Sequence, residues 1–376
     1  YGDRTSGSST NSYWNITKNP RLADEGQGNQ DLAGVTGLTT AQMQDSANYT
    51  GWDFTVDGSG AGSGVWVMAD LPHLQHEWTT EITNIAQLQM MALDLDANYT
   101  LANDIDASAT SGWNGGLGFD PVGYSTLDYG MYPDQPFTGT FNGYMHTITG
   151  LTINRPTEDH VGLFGATEEA TIKNVGVIAS NISGAYNVGI LAGTDKTSDI
   201  FNSYSAGSVV GSNLHAGGLV GQHWYGDIAN SYSTASVDGV SRVGGLAGLI
   251  VSTNVTNSYA TGNVTAGGGS DAAGGLVGYT YFASVTNSYS TGHVSGGSNV
   301  GGFAGYDQYG TVFTNNVWDY ETTGLPQSQS FGFYMGDSST TLGKTTAQMR
   351  QQATYSGWNP MWKVVDGAYP HLIWQD

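Results

Sequence analysis

The sequence predicts an all-β protein: a parallel β-solenoid with coils of about 28 residues and short helical caps. Three observations predict it. A block resembling G-G-L-V-G recurs six times at near-constant spacing, closing at Gly165, Gly193, Gly221, Gly248, Gly278 and Gly305. Each block is followed nine or ten residues later by an asparagine: Asn174, Asn202, Asn230, Asn257, Asn287 and Asn315. Gly, Ser, Thr and Val dominate the units and helical i, i+3, i+4 spacing is missing, so the units are strands.

One unit, "GGLVGQHWYGDIANSYSTASV" from Gly217 to Val237, reads as a short apolar strand, a polar turn, a second strand and a third short one. Three strands per unit close one coil, and neighbouring coils rise by about 4.8 Å, the ordinary strand spacing. Equivalent positions then stack. Leu219, Leu246 and Leu276 are expected in one interior column, the glycines at tight corners, and the asparagines in a hydrogen-bonded ladder.

A longer period lies above this one. "NSYWN" at Asn11–Asn15 matches "NNVWD" at Asn315–Asp319, "LTTAQMQDSANYTGWDF" from Leu38 matches "KTTAQMRQQATYSGWNP" from Lys344, and "LPHL" from Leu71 matches "YPHL" from Tyr369. The expected organisation is therefore 1–78 as the tail of a preceding module, 79–150 as an N-terminal cap with irregular first coils, 151–320 as the repeats, and 321–376 as the module's own tail. The chain opens at Tyr1 without Met or a leader and reads as a fragment or a processed product. A solenoid needs its ends covered, because the last coil exposes unpaired backbone. Asn84 precedes apolar residues at 85, 88, 91 and 95, a short amphipathic helix. Thr39 and Thr345 each open the Thr-x-x-Gln capping-box pattern, and Trp358, Trp362 and Trp374 follow as candidate cover.

Composition restricts partners. Asp and Glu number 32 against 10 Lys and Arg, a net charge of -22 that argues against nucleic acid and anionic membranes. No run of 18 apolar residues is present, so membrane insertion is not expected. Cysteine is absent, which excludes disulfides, zinc-thiolate sites and a cysteine nucleophile.

The G-G-L-V-G … N-S-Y-S-T-G-x-V unit, its lead-in "YTLANDIDAS…FTGTFNGYMHTITGL" and the tail "TTAQM…YSGW…YPHL" resemble the GLUG-motif repeat. That repeat occurs in filamentous-haemagglutinin-like bacterial surface adhesins and in non-catalytic parts of some IgA-specific metallopeptidases. The resemblance implies a right-handed β-solenoid, extracellular or on the bacterial cell surface, serving as stalk, adhesin, filament or matrix component. Its expected partners are copies of itself or adjacent modules end to end, and glycans or another cell surface. It does not imply catalysis: "HEWTT" at His76–Thr80 begins like the zinc motif H-E-x-x-H, but Thr80 replaces the second ligand.

Candidate sites follow from the columns. The asparagine column reads as a structural ladder. The tyrosines two residues on, Tyr204, Tyr232, Tyr259 and Tyr289, are stacked core if that face points inward and a platform for sugar rings if it points outward. A carbohydrate-binding or carbohydrate-cleaving β-helix, using this stripe or the loops between 111 and 136, is the alternative function. Cleavage needs paired carboxylates, and Asp199 with Asp227, one repeat apart, is the one aligned pair weighed. His146, His160, His215, His223 and His293 are scattered without a constant offset, so no histidine metal site is expected. Calcium is the one possible cofactor, through Asp104 and Asp106 or through Asp94 and Asp96, although a strand or helix surface explains these residues equally well.

Overall fold

Each repeat closes one coil of a parallel solenoid in the computed structural model, which describes residues 10–18, 34–54, 65–69, 71–125, 133–267, 272–336 and 339–376. One wall is a seven-stranded parallel sheet with one strand per coil: Phe164–Glu168, Ala192–Lys196, Val220–Trp224, Ala247–Val251, Val277–Tyr281, Ala304–Asp307 and Phe331–Phe333. The other walls merge into a second, 23-stranded sheet. Register keeps phase with the repeat: Ile172 pairs Ile200, which pairs Ile228, then Val255, Val285 and Phe313. The longest repeat, the one ending at Gly278, takes up its extra length between two paired strands. Val237 still pairs Val264 at the ordinary step, whereas Val243 pairs Ala273 at a longer one.

The interior is apolar because identical β-branched and leucine positions superimpose. Leu219, Leu246 and Leu276 are fully buried, and each N–H in that column bonds the carbonyl one coil on, Leu219 to Leu246 and Leu246 to Leu276. The glycines differ from expectation. The corners are turned by left-handed residues, among them the asparagines 174, 202, 230, 257, 287 and 315 at φ of 47–55°, a region asparagine tolerates better than most. The paired glycines of the motif instead permit close approach between coils. A Cβ on Gly218 would lie 2.3 Å from the Gly245 carbonyl oxygen and 2.1 Å from Ser233 Oγ.

Both tails fold alike. Thr39 and Thr345 form complete capping boxes on helices Thr40–Met43 and Thr346–Met349. The Tyr49 hydroxyl donates to the Met43 carbonyl as Tyr355 does to Met349, and Trp52 Nε1 donates to Asn11 as Trp358 does to Asn315. The first tail packs on the N-terminal cap. Asn84 caps helix Ile85–Gln89, and Val67 is buried against Met90 and Leu93 of the following 3-10 turn. The Asn114 N–H donates to the Gln44 carbonyl at 3.0 Å, and the second tail lies along the flank of the repeats.

Candidate functional site

The Asn-Ser-Tyr triplet splits three ways. Asn holds the corner, Ser points into the solenoid and Tyr points out of it. Asn174 Nδ2 donates to Asn142, Asn202 to Asn174 and Asn257 to Asn230, at 3.0–3.1 Å. Asn202, Asn257 and Asn287 have Oδ1 atoms without a hydrogen-bond partner among the described residues, so the asparagine contacts come in short runs. Asn315 is exposed, and its backbone N–H donates to Thr340 Oγ1.

The continuous ladder belongs to the serines, which sequence reasoning missed. The N–H of Ser203 donates to Ser231 Oγ, Ser231 to Ser258, Ser258 to Ser288, and Ser288 to Asn316 Oδ1, at 3.0–3.3 Å. Each of these serine hydroxyls donates to the carbonyl two residues back, so at Ser231, Ser258 and Ser288 both hydroxyl functions are used inside a dry core. The constant serine one place after asparagine was the available signal.

The tyrosines form neither interior core nor an open platform. Tyr204, Tyr232, Tyr259 and Tyr289 stack outside the coils with centroids 4.6–4.9 Å apart and interplanar angles of 3–12°. The second tail covers them. Trp374 packs on Tyr204 and Tyr232, Trp362 on Tyr259 and Tyr289, and Tyr369 on Tyr289. Tyr259 and Tyr289 are only 6% and 2% exposed, because burying the indoles against the ring stack removes a large apolar area from water. The same burial raises the phenol of Tyr232 to about 12 and those of Tyr259 and Tyr289 further. A sugar platform along this column is therefore closed.

Two of the histidines share a corner. His160, Asn187, His215 and Arg242 occupy one left-handed corner, each one coil on from the last. His215 Nδ1 meets Asn187 Oδ1 at 2.6 Å, Asn187 Nδ2 meets His160 at 3.1 Å, and Arg242 Nη1 meets His215 Nε2 at 2.7 Å. Desolvation first, then the Arg242 charge, lowers the His215 pKa well below its ordinary value. The ring is thus neutral, donating through Nδ1 and accepting from Arg242 at Nε2. The two histidines sit two coils apart, so a one-coil period does not reveal them.

Other candidates serve backbone and side-chain partners. Asp104 accepts from the Thr147 N–H at 2.9 Å and Asp106 from the Ser108 N–H at 2.9 Å. The Thr147 N–H for Asp104, and the Ser108 hydroxyl and then its N–H for Asp106, hold both carboxyls below the ordinary aspartate value. Asp199 accepts from the Asp227 N–H, and Asp227 accepts from Asn254 Nδ2, making a ladder of this pair too. Glu77 of the H-E-x-x-T segment is bound to His73, which with the Leu74 N–H lowers its pKa. No cluster of three His, Asp or Glu suited to a metal occurs among the described residues. Of the 111–136 loops, 126–132 lie outside the described residues.

The coils also match known proteins. The GLUG motif matches residues 212–238, 239–265 and 269–295, each beginning on one coil and ending on the next. Halomucin of Haloquadratum walsbyi is 39% identical over 143 residues, 36% of this chain but 2% of that protein, so the chain spans a small part of its relative. A Bacteroides ovatus crystal structure, described as a candidate immunoglobulin A1 protease, aligns with a TM-score of 0.56 at 23% identity over 85% of this chain and 98% of its own. At that identity the likeness extends to the fold. The chain carries three GLUG motifs, and these form successive coils of a β-solenoid.

Proposed function

We propose that this protein is an extracellular structural and adhesive module, a stiff acidic spacer extended by repetition on a cell surface, and that it is not an enzyme. One observation carries the reading: the same tail fold occurs twice, once along the solenoid flank and once against the N-terminal cap. A tail that grips its own coils and a cap that receives a preceding tail make a junction with no free linker. Repetition of such a junction produces an extended array in which separate weak surface contacts add. The acidic wall keeps the rod soluble, and its aligned carboxylates are occupied in ladders rather than held as a reactive pair. Adjacent modules or further copies of the chain, joined end to end, are the partners this reading requires.

The test is immunogold labelling of intact source cells with an antibody raised against the chain, paired with negative-stain imaging of the released material. Label on extended surface fibres supports the reading. Label confined to the cell interior, or compact particles with no end-to-end order, overturns it.

A further inference from the structure

The wall opposite in character to the tail-covered tyrosines is the seven-stranded sheet, and its outer face changes along the rod. On the early coils Glu168 and Lys196 form an ion pair across neighbouring strands. From Trp224 onward these positions turn apolar, with Leu249 and Val251 on the next coil and the aromatic Tyr279 and Tyr281 on the one after. Tyr279 and Tyr306 stack at 5.0 Å and 11°, continuing to Phe333 at 4.6 Å. Beside them Tyr281, Phe282 and Tyr309 cluster with centroids 4.6–5.4 Å apart. These rings are not covered: Phe282 is 59% exposed and Tyr225 55%. Tyr225, Tyr279, Tyr281 and Phe282 line a cleft of about 570 Å³ that also receives His215 and Arg242, and Tyr309 packs on Tyr281 and Phe282 at its edge.

Arg242 is the unusual group. It is the only Lys or Arg between Lys196 and Lys344 in a chain of net charge -22. Its guanidinium lies 4.4 Å over the Tyr279 ring and is held by the buried, neutral His215. No carboxylate lies within ion-pair distance of it among the described residues. The buried indole N–H of Trp224, on the same cleft, also has no acceptor among the described residues. In so acidic a protein an arginine anchored from behind, with no counterion among the described residues, is a site built for an anion, and planar guanidinium suits a carboxylate or sulfate.

We propose that this cleft binds an anionic saccharide, with sugar rings lying on the exposed aromatic faces and one acidic substituent on Arg242. The rings offer apolar faces to the C–H side of a pyranose, while Arg242, the Trp224 N–H and the tyrosine hydroxyls meet its oxygens. One cation against a strongly negative background selects a segment with an isolated acidic group and disfavours dense polyanions. The site lies within a few coils of one module, so it goes beyond the spacer reading and does not depend on end-to-end assembly.

Calorimetry with the full chain tests it, using a neutral tetrasaccharide bearing a single galacturonate, the methyl ester of that sugar and the same tetrasaccharide carrying one sulfate instead. The free acid is expected to bind about tenfold or more tighter than the ester, because only it forms the charge-assisted pair. Arg242→Gln should abolish that preference, and the exposed double variant Phe282→Ala, Tyr309→Ala should weaken both forms about tenfold with unchanged melting. Competition by the sulfated sugar would assign recognition to the anion in general, and its failure to carboxylate alone. No binding of the free acid, equal binding of acid and ester by the native chain, or binding indifferent to the aromatic pair would each overturn the proposal. Should Arg242→Gln fail to fold, the acid-to-ester comparison on the native chain and the aromatic double variant still decide it.

Discussion

Tyr259 and Tyr289 stack with centroids 4.7 Å apart and planes within 3°, and the Trp362 indole lies across both. The contact joins elements far apart in the chain and fixes where the second tail sits. Gln375 Nε2 donates to the Tyr259 hydroxyl and the Tyr289 hydroxyl donates to the Pro370 carbonyl, both at 2.9 Å. Trp362→Ala should therefore cost about 3 kcal/mol or more, the usual range for emptying a buried aromatic site. Trp374→Ala, at the half-exposed end of the same stack, should cost less. Denaturant melts followed by tryptophan fluorescence give both values, and equal losses would mean the tail does not seal the column at Trp362.

A second prediction concerns the apolar interior. Leu246 is fully buried with Leu219 and Leu276 on the neighbouring coils, so a charge there has no partner and no route to water. Leu246→Asp should leave no cooperative melting transition for the repeat region. A native-like melt by circular dichroism would refute the stacking of these leucines.

The serine ladder makes a sharper test than the asparagines. Ser231→Ala removes the acceptor of the buried Ser203 N–H, which has no other acceptor among the described residues. Leaving it unsatisfied should cost about 1–3 kcal/mol, whereas the exposed Ser236→Ala should change stability by less than about 0.5 kcal/mol. Equal effects in chemical denaturation would show that the ladder bonds are not retained in solution.

These residues also mark what could be read in advance. The coil length, strand identity and leucine column follow from a period long enough to be counted six times. The inward serine is masked by the asparagine before it, whose constancy reflects its tolerance of a left-handed corner as much as its hydrogen bonds. Alternation then reverses the expectation for tyrosine, since a corner at Asn puts Ser inside and Tyr outside. What covers that tyrosine face is a contact between Trp362 and coils far away in sequence, and no periodicity encodes it. The Arg242 cleft is similarly hidden, for its rings come from positions that are aromatic on only some coils.

Buried histidines set a pH dependence. His215 and His223 are both fully buried, and desolvation lowers both below the ordinary value of 6.5; for His223 the charges of Asp195, Asp199 and Asp227 oppose but do not cancel it. The unfolded rings take up protons as pH falls through about 6.5 while the folded rings do not. Stability is therefore present above that pH and lost below it, by up to about 1.4 kcal/mol per pH unit for each ring. Melting temperature should be flat above about pH 7.5 and fall between about pH 6.5 and 5. His215→Asn, which repeats the neighbouring Asn187 of the same corner, should flatten part of that slope, and an unchanged slope would exclude His215 as its source.

The junction between the tails and the caps offers the last test. Trp66 pairs Leu74 in the first tail hairpin as Trp362 pairs Leu372 in the second, so Val67 and Lys363 are equivalent positions. Where the hairpin meets a cap the residue is apolar: Val67 is 4% exposed against Met90 and Leu93. In the second hairpin the equivalent residue is charged: Lys363 is exposed with Nζ 2.9 Å from Asp376. Val67→Lys transplants a residue already compatible with this hairpin, so the tail's own stack of Tyr49, Trp52 and Trp66 should survive. The contact with the cap should not, because a lysine there must be desolvated without a partner or swing the hairpin away. Hydrogen exchange should rise about tenfold or more at residues 85–93 while the repeat coils keep their protection. Unchanged protection of the cap would mean that the tail rests on it without holding it, and the junction would then be a hinge.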